Sequence, residues 1–459
     1  LSGVTSVTTC TGTQRGITTW TWGNTAGASS FGQVTAESAQ YADGVGANHT
    51  ASRSYTYDSL GRMSQASTTI VDGTFSRSYT ERTTFDQHGR VFQSFDASGD
   101  SRGIRPVYNA RGYVSQLKES REGTAGKIYW TVQAMNARGQ VASALMGNGT
   151  QITASHDPAT GAVLQLMDAT GTAMAQDLLL AWDAMGNLLS RRDWSGNRNQ
   201  EEQFFYDARN RLTRTDSRTN GGTWVANRQV QTYNVAGNML TKTGLGTYTY
   251  GSTRPHAVTA AGGVTYTYDA NGNVTSDTSG RAFHYTGYDL VRRVSQGTAH
   301  TEFHYDAGRS RTLKRELSGT TVTSRTHYLG SVEVIWNGSN PTTSTGQYRR
   351  TIGGVLIATF YQSTGVTQQR YLHRDHLGSI VAISDEAGQV VTWMAFDPWG
   401  QRRNADAWHP WNAPPSVYLN AMLAITPRGF TGHEHVDSAG IIHMNGRIYD
   451  PNLGRFLQA

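Results

Sequence analysis

Tyr57-Asp58-Ser59-Leu60-Gly61-Arg62-Met63 strings together an aromatic, an acid, two variable residues, a glycine, a cation and an aliphatic, and the reading of the whole chain turns on this short run. Asp at the first turn position and Gly at the fourth are the preferences of a type I turn whose carboxylate binds backbone two residues on. The glycine then takes the positive φ that sends the chain into a returning strand. The run comes back as Phe85-Asp86 with Gly89, Tyr108-Asn109 with Gly112, Met135-Asn136 with Gly139, Trp182-Asp183 with Gly186, Tyr233-Asn234 with Gly237 and Tyr268-Asp269 with Gly272. Looser copies start at Asp157, where Gly161 comes one residue late, at Asp207, where Asn210 stands for glycine, and at Asp289 and Asp306. From Asp58 to Asp306 the spacing averages about 25 residues, the period of a repeat architecture.

Before the turns, aromatics stand two apart, as in Tyr55 and Tyr57, Phe204 and Tyr206, Tyr266 and Tyr268, or Phe303 and Tyr305. That spacing puts them on one face of a strand, with Thr, Ser and Arg on the other. Secondary turns of the same kind are expected at 96–99, 168–171, 193–196 and 277–280. Each unit is therefore a pair of hairpins, and stacked units make a long antiparallel sheet.

Composition agrees. The chain of 459 residues has 51 Gly, 22 Tyr and 11 Trp and is only 16% charged. So many aromatics argue against disorder, and so much glycine argues against a helical bundle or coiled coil. The single Cys10 rules out an internal disulfide framework and a cysteine-based zinc site. The longest apolar run, around 352–361, is half of what a membrane helix needs, so no membrane span is expected. The net charge of +6 is carried by arginines scattered singly, which gives no basic patch for nucleic acid. The chain starts at Leu1 without a basic-plus-apolar leader, the mark of a processed or excerpted sequence.

In its last third the chain carries Tyr371-Leu372-His373-Arg374-Asp375-His376-Leu377-Gly378-Ser379, then Phe396-Asp397-Pro398-Trp399-Gly400, then Gly429-Phe430-Thr431-Gly432-His433-Glu434-His435. Last comes His443-Met444-Asn445-Gly446-Arg447-Ile448-Tyr449-Asp450-Pro451-Asn452-Leu453-Gly454-Arg455-Phe456-Leu457. The repeat together with this ordered set resembles the YD-repeat family, which takes in Rhs polymorphic toxins, insecticidal toxin complex C components and, more distantly, teneurins. The resemblance covers almost the whole chain, most weakly its first 50 residues. It implies an all-β fold, a spiralling antiparallel sheet of YD-repeat hairpins forming a hollow cocoon. Residues 1–401 would form the repeat shell and residues 402–459 the closing segment with the core-terminal signature.

The function implied is encapsulation and delivery of a C-terminal toxin domain by a bacterial protein that is secreted or delivered, with that cargo and secretion-apparatus or toxin-complex subunits as partners. The alternative is a cell-surface adhesion or recognition module of teneurin-like type. No cofactor is implied. With strands about 4.8 Å apart and roughly 3.4 Å per residue, about 320 strand residues tile on the order of 5,000 Å², a sphere with an inner radius of about 15 Å. That suits a compact domain of roughly 80 residues. A complete cocoon needs more wall, so an excerpt of a longer protein is expected.

In the resembling families the core ends in a self-cleaving aspartyl site, where an arginine at the position of Arg447 assists two downstream acids. By that spacing the first acid would follow directly after Ala459. This chain, holding neither acid, is expected not to cleave itself; one carboxylate must activate water while the other protonates the leaving group. Asp397 and Asp450 also precede proline, but in the family they belong to turns.

Several other patterns have a plain structural reading beside a chemical one. His433, Glu434, His435 and His443, like His373, Asp375 and His376, have the spacing of metal ligands, but the family uses both segments structurally and no metal is expected. Gly99-Asp100-Ser101-Arg102-Gly103 has nucleophile-elbow spacing without the helix that motif needs. The aromatic ladder, which would serve as a stacking platform for carbohydrate or single strands, reads as inter-hairpin core. No isolated carboxylate pair supports a glycosidase. Residues 403–428 interrupt the repeat with Trp408-His409-Pro410-Trp411 and Pro414-Pro415, and a short helix from Ser416 to Leu423, capped by Ser416, is expected there. This insertion is a candidate plug for the shell, a surface loop being the alternative.

Overall fold

A computed structural model describes residues 15–42, 48–98, 103–121, 124–171, 173–338, 346–408 and 416–458. The fold is all-β with one α-helix, and strand after strand pairs antiparallel with its neighbour in sequence. Two compact units emerge. One comprises Leu1–Tyr129, Tyr285–Val294 and Thr298–Gln368, the other Trp130–His284, Ser295–Gly297 and Gln369–Ala459.

In the first unit, strands Asn48–Tyr57 and Met63–Asp72 flank the turn quoted above. Asp58 Oδ1 accepts from the backbone N–H groups of Leu60 and Arg62, both at 2.9 Å. Its Oδ2 accepts from Arg62 Nε at 2.7 Å. Gly61 donates to the Asp58 carbonyl at 3.0 Å and sits at φ 74°. The register then slips by one residue, so that Tyr57 faces Met63, which makes the turn a type I turn closed by a one-residue bulge. Asp86 with Arg90 repeats this bonding, as does Asp207 with Arg211 in the second unit.

The aromatic before the acid has its own task. Its polar tip donates to the carbonyl of the aliphatic that opens the preceding hairpin's return strand or lies near it. Tyr108 reaches Val91 at 2.9 Å, Tyr206 reaches Leu188 at 2.9 Å, Tyr268 reaches Val258 at 2.7 Å and Tyr305 reaches Val291 at 2.6 Å. Trp182 does the same through Nε1, to Val163 at 2.7 Å. Tyrosine thus buries a ring and still satisfies a hydroxyl. Where Phe85 takes the position, the preceding turn's Arg62 stacks on the ring instead, 4.3 Å from its centroid. Arg90 over Tyr108 and Arg211 over Tyr233 add the same stacking at 4.2 and 4.6 Å. The opposite faces carry hydroxyl pairs such as Thr69 with Ser78 and Thr232 with Thr241, the cross-strand pairing expected on a wet face.

Three expectations about turns need correction. Asp289 does not head its turn. Thr286 does, and Asp289 occupies the glycine place at φ 62°. Asp168 lies inside strand Val163–Thr170, and the hairpin turns tightly between Thr170 and Ala173. Asp193 bonds Ser195 N–H as an Asx turn, but the chain continues into a single helical turn, Ser195–Asn197. The turns at Asp207 and Asp277 follow the expectation, with Asn210 at φ 57° and Gly280 at φ 93°. In the 96–99 turn, Gly99 lies outside the described residues, as does most of the 99–103 elbow-like segment.

The first unit centres on Ile70, Phe75, Tyr79, Leu313, Leu329 and Trp336. In the second unit the helix runs over Ser416–Ile425, two residues past the expected end. Pro427 stops it, since a residue before proline is pushed out of the helical region. Met422 and Ile425 are its buried residues, Tyr418 meets Trp393 edge-on at 6.3 Å, and its carbonyl accepts from Thr392 Oγ1 at 2.9 Å. No helix among the described residues is long and apolar enough to cross a membrane.

Candidate functional site

The C-terminal signature folds as a small four-stranded sheet, Glu434–Val436, Ile441–Met444, Arg447–Asp450 and Arg455–Phe456. Its last turn depends on Asp450, whose Oδ1 accepts from Leu453 N–H at 2.9 Å and whose carbonyl accepts from Gly454 N–H at 2.7 Å. Side chains from the repeat strands of the same unit then hold the signature in place. Arg281 bridges Asp450 at 2.8 Å and Asp277 at 2.6 Å. Burial opposes the Arg281 charge, yet the two carboxylates outweigh it and raise its pKa. Lys242, one of only four lysines, donates to the carbonyls of Pro451 at 3.2 Å and Asn452 at 2.7 Å. Burial lowers its pKa against the pull of Asp397 and Asp450.

The phenol of Tyr248 donates to the Leu453 carbonyl at 2.8 Å, and Val274 N–H to the Leu457 carbonyl at 2.8 Å. Leu457 and Gln458 are buried, and Gln458 Oε1 accepts from Ile448 N–H at 2.6 Å. The chain is therefore pinned to residue 458.

Arg447 is exposed, with its guanidinium over the Phe456 ring at 3.9 Å. It lines a cleft of about 650 Å³ together with Arg254, His256, Tyr268, Arg455 and Gln458. Arg254 donates to the carbonyls of Asp269 and Ala270, both at 2.7 Å. Arg455 donates to the His256 carbonyl at 2.8 Å. Among the described residues, no carboxylate side chain lines this cleft. The arrangement offers positive charge to an anionic group at the point where the chain leaves the sheet, but no general acid or base carboxylate. Asp397 and Asp450 are committed elsewhere: Asp397 accepts from Trp399 and Gln401 N–H at 2.8 Å and from Gln229 Nε2 at 2.8 Å.

A second set of contacts fixes residues 403–408 against the repeat strands. Glu202 takes Arg191 at 2.7 Å and Arg403 at 2.5 Å, all three buried. Burial pushes the Glu202 pKa up, but the two guanidinium charges outweigh it and hold it below the ordinary value. Arg191 also donates to the Phe396 carbonyl at 2.8 Å, and both arginines stack on Trp408 at 4.6 Å. Trp408 is thus buried core, while 409–415 lie outside the described residues.

In the histidine-rich segments, Glu434 and His443 pair across neighbouring strands, and several of the other candidates take partners of their own. His373 Nδ1 lies 2.7 Å from Asp168 Oδ2, and its Nε2 lies 2.9 Å from Ser384 Oγ. This has the connectivity of a Ser-His-Asp relay. Ser384 and His373 have no exposed surface, however, and Asn148 Nδ2 also binds the Ser384 hydroxyl at 3.1 Å. No substrate reaches it; the array locks strands together. Asp375 heads a turn, and His376 packs edge-on against Trp182 at 5.8 Å, its pKa lowered to about 4 by burial and Arg191. His435 Nε2 accepts from Phe430 N–H at 3.1 Å, and His433 Nδ1 lies 2.8 Å from Thr431 Oγ1. Among the described residues no three His, Cys, Asp or Glu side chains converge as metal ligands. Lys242, Tyr248, Arg281 and the Arg191–Glu202–Arg403 group were not singled out in the sequence. Only the rarity of lysine marks Lys242 there.

A sheet built of Tyr-Asp hairpins, with its terminal signature seated on its own repeat strands, defines a YD-type shell module. The teneurin YD-shell family matches residues 169–459, and the chain belongs to that family. Among characterised relatives, the tRNA3(Ser)-specific nuclease WapA of Bacillus spizizenii is 23% identical over 195 residues, 41% of this chain and 8% of the relative. The double-stranded DNA deaminase toxin A of Burkholderia cenocepacia is 22% identical over 219 residues, 42% of this chain and 15% of the relative. Among solved structures, the TcdB2–TccC3 complex matches with a TM-score of 0.72 at 17% identity, over 97% of this chain and 26% of that one. The Photorhabdus luminescens Tc holotoxin pore matches with a TM-score of 0.71 at 16% identity, over 97% of this chain and 25% of that one. The chain spans a small fraction of its curated relatives and about a quarter of the solved chains. The fold is that of the YD shell, a long antiparallel sheet not closed into a barrel.

Proposed function

We propose that this chain is wall and closing seat of a shell that sequesters a toxin domain belonging to the same bacterial polypeptide, with 402–459 as the closing segment. The observation that carries this reading is the seating of the terminal signature. Arg281, Lys242 and Tyr248 fix it to the repeat strands, so whatever follows Gln458 starts from a defined place beside the arginine-lined cleft. The names of the two relatives, a tRNA-specific nuclease and a DNA deaminase toxin, support the same reading. Secretion or delivery, and docking to export or toxin-complex subunits, belong to this proposal. So does an auxiliary part for Arg447 in a longer chain, where its charge stabilises a carboxylate pair contributed by downstream sequence.

The test is expression of a chain extended past the downstream acids. Self-cleavage is expected to give a fragment on a denaturing gel that still co-elutes with the shell on size exclusion, and Arg447→Ala is expected to reduce fragment yield at least tenfold. An intact extended chain overturns the autoprotease reading, and full cleavage in the variant overturns the role of Arg447. A fragment that elutes alone overturns encapsulation. A second reading, an adhesion module, draws on the teneurin name of the matched family; an extended chain with no cargo domain but a membrane anchor supports it.

A further inference from the structure

The first unit joins segments far apart in sequence through a buried polar seam. Asp72 ends strand Met63–Asp72 and is 5% exposed. Its Oδ1 lies 3.1 Å from His49 Nδ1 and 3.3 Å from an Arg315 guanidinium nitrogen, and its Oδ2 lies 2.7 Å from Arg325 Nε. Arg315 also pairs with Glu302, which Arg293 approaches at 3.5 Å. His304, 5% exposed, stacks on His49 with 3.9 Å between ring centroids. Beside this knot, fully buried His327 presents Nδ1 to the Tyr79 hydroxyl at 2.9 Å, across 248 residues of sequence, and lies against Trp336 at 4.8 Å.

The charges facing these two rings are unevenly matched. His304 faces His49, Arg315 and Arg292 on the cationic side and Asp72 on the anionic side. His327 meets Arg325 and Arg77 against the same Asp72. That carboxylate already serves two guanidinium groups and His49, and Glu302 is taken by arginines. A proton added to either imidazole brings a further cation into a buried seam whose described carboxylates, Asp72 and Glu302, are already paired with arginines, and such a charge is strongly disfavoured.

We propose that this seam is an acid latch, closed while His304 and His327 are neutral and opened on acidification, when strands Asn48–Tyr57, Met63–Asp72 and Phe75–Phe85 part from Ala299–Tyr305, Arg311–Ser318 and Thr321–Leu329. Burial depresses both histidines, His327 to about 3. The closed state therefore refuses protons that the open state binds below about pH 6.5. Stability linked to these groups is complete above that pH and lost as pH falls through the window down to the depressed values. Opening in this range would release a sequestered domain in an acidified compartment. That use rests on the shell reading, but the latch itself does not.

Hydrogen exchange of the 459-residue chain, without cargo, tests it. After correction for intrinsic rates, peptides from 63–85 and 321–338 are expected to exchange at least tenfold faster at pH 5.0 than at pH 7.5, while peptides from 173–182 in the other unit hold steady. In His304→Gln/His327→Gln the difference is expected to vanish. Equal protection of wild-type seam peptides at both pH values overturns the latch, and so does undiminished opening in the double variant. Histidine-selective NMR of the unaltered chain serves if that variant fails to fold. Two rings that stay neutral in the closed state at pH 5.5 support the latch. Ordinary titration near 6.5 in a seam that stays protected overturns it. Failure here leaves the shell reading standing, because no cargo takes part.

Discussion

At the fourth turn position a glycine answers to two demands that differ from copy to copy. Gly186 sits at φ 84° with nothing within 4 Å of where a Cβ would stand, so only backbone strain resists substitution. Gly400, at φ 88°, would place its Cβ 2.6 Å from the Phe430 ring. Gly186→Ala is expected to cost about 1–2 kcal/mol and Gly400→Ala about 3 kcal/mol or more, strain and overpacking adding. Urea unfolding of the two variants checks this, and equal costs would contradict the packing read at Gly400. Turn heads were legible at this scale because an acid and a glycine three apart carry a local mechanism. Asp289 shows the limit: Thr also caps such a turn and Asp also tolerates positive φ, so the letters leave the register of that copy open.

Among elements, the hairpins follow from the sequence period and their mutual locks do not. Tyr-Asp spacing gives strands, turns and the face each aromatic occupies. The turns at Asp375, Asp385 and Asp397 use the same carboxylate-to-backbone bonds. Of these, only Asp397 follows an aromatic, Phe396, while Arg374 and Ser384 precede the other two, so those two copies lack the aromatic-acid pair that marks the repeat elsewhere. The Arg191–Glu202–Arg403 group joins residues with no periodic relation, so nothing local announces it. Its burial makes a sharp prediction. Glu202→Gln leaves two guanidinium groups without their shared carboxylate and is expected to cost about 3–5 kcal/mol. Replacing all three with apolar residues of similar volume is expected to restore much of that loss. Thermal unfolding of the single and triple variants reads the difference, and a neutral single variant would mean that the group carries no such load.

Across the molecule, 36 arginines against four lysines suit a wall whose hairpins are laced by planar cations, forked onto carboxylates and stacked on rings. Scarce charge and abundant glycine, first signs of a β-rich chain, belong to a sheet that carries solvent on its hydroxyl faces and aromatics on the others. The central claim is that this wall shields a domain attached beyond its terminal signature, and protease protection tests it most directly. A chain extended through the downstream domain, and that domain expressed alone, are exposed to a broad-specificity protease at pH 7.5 and followed by mass spectrometry. The account predicts that the attached domain survives at least tenfold longer than the free one; equal digestion rates would contradict it.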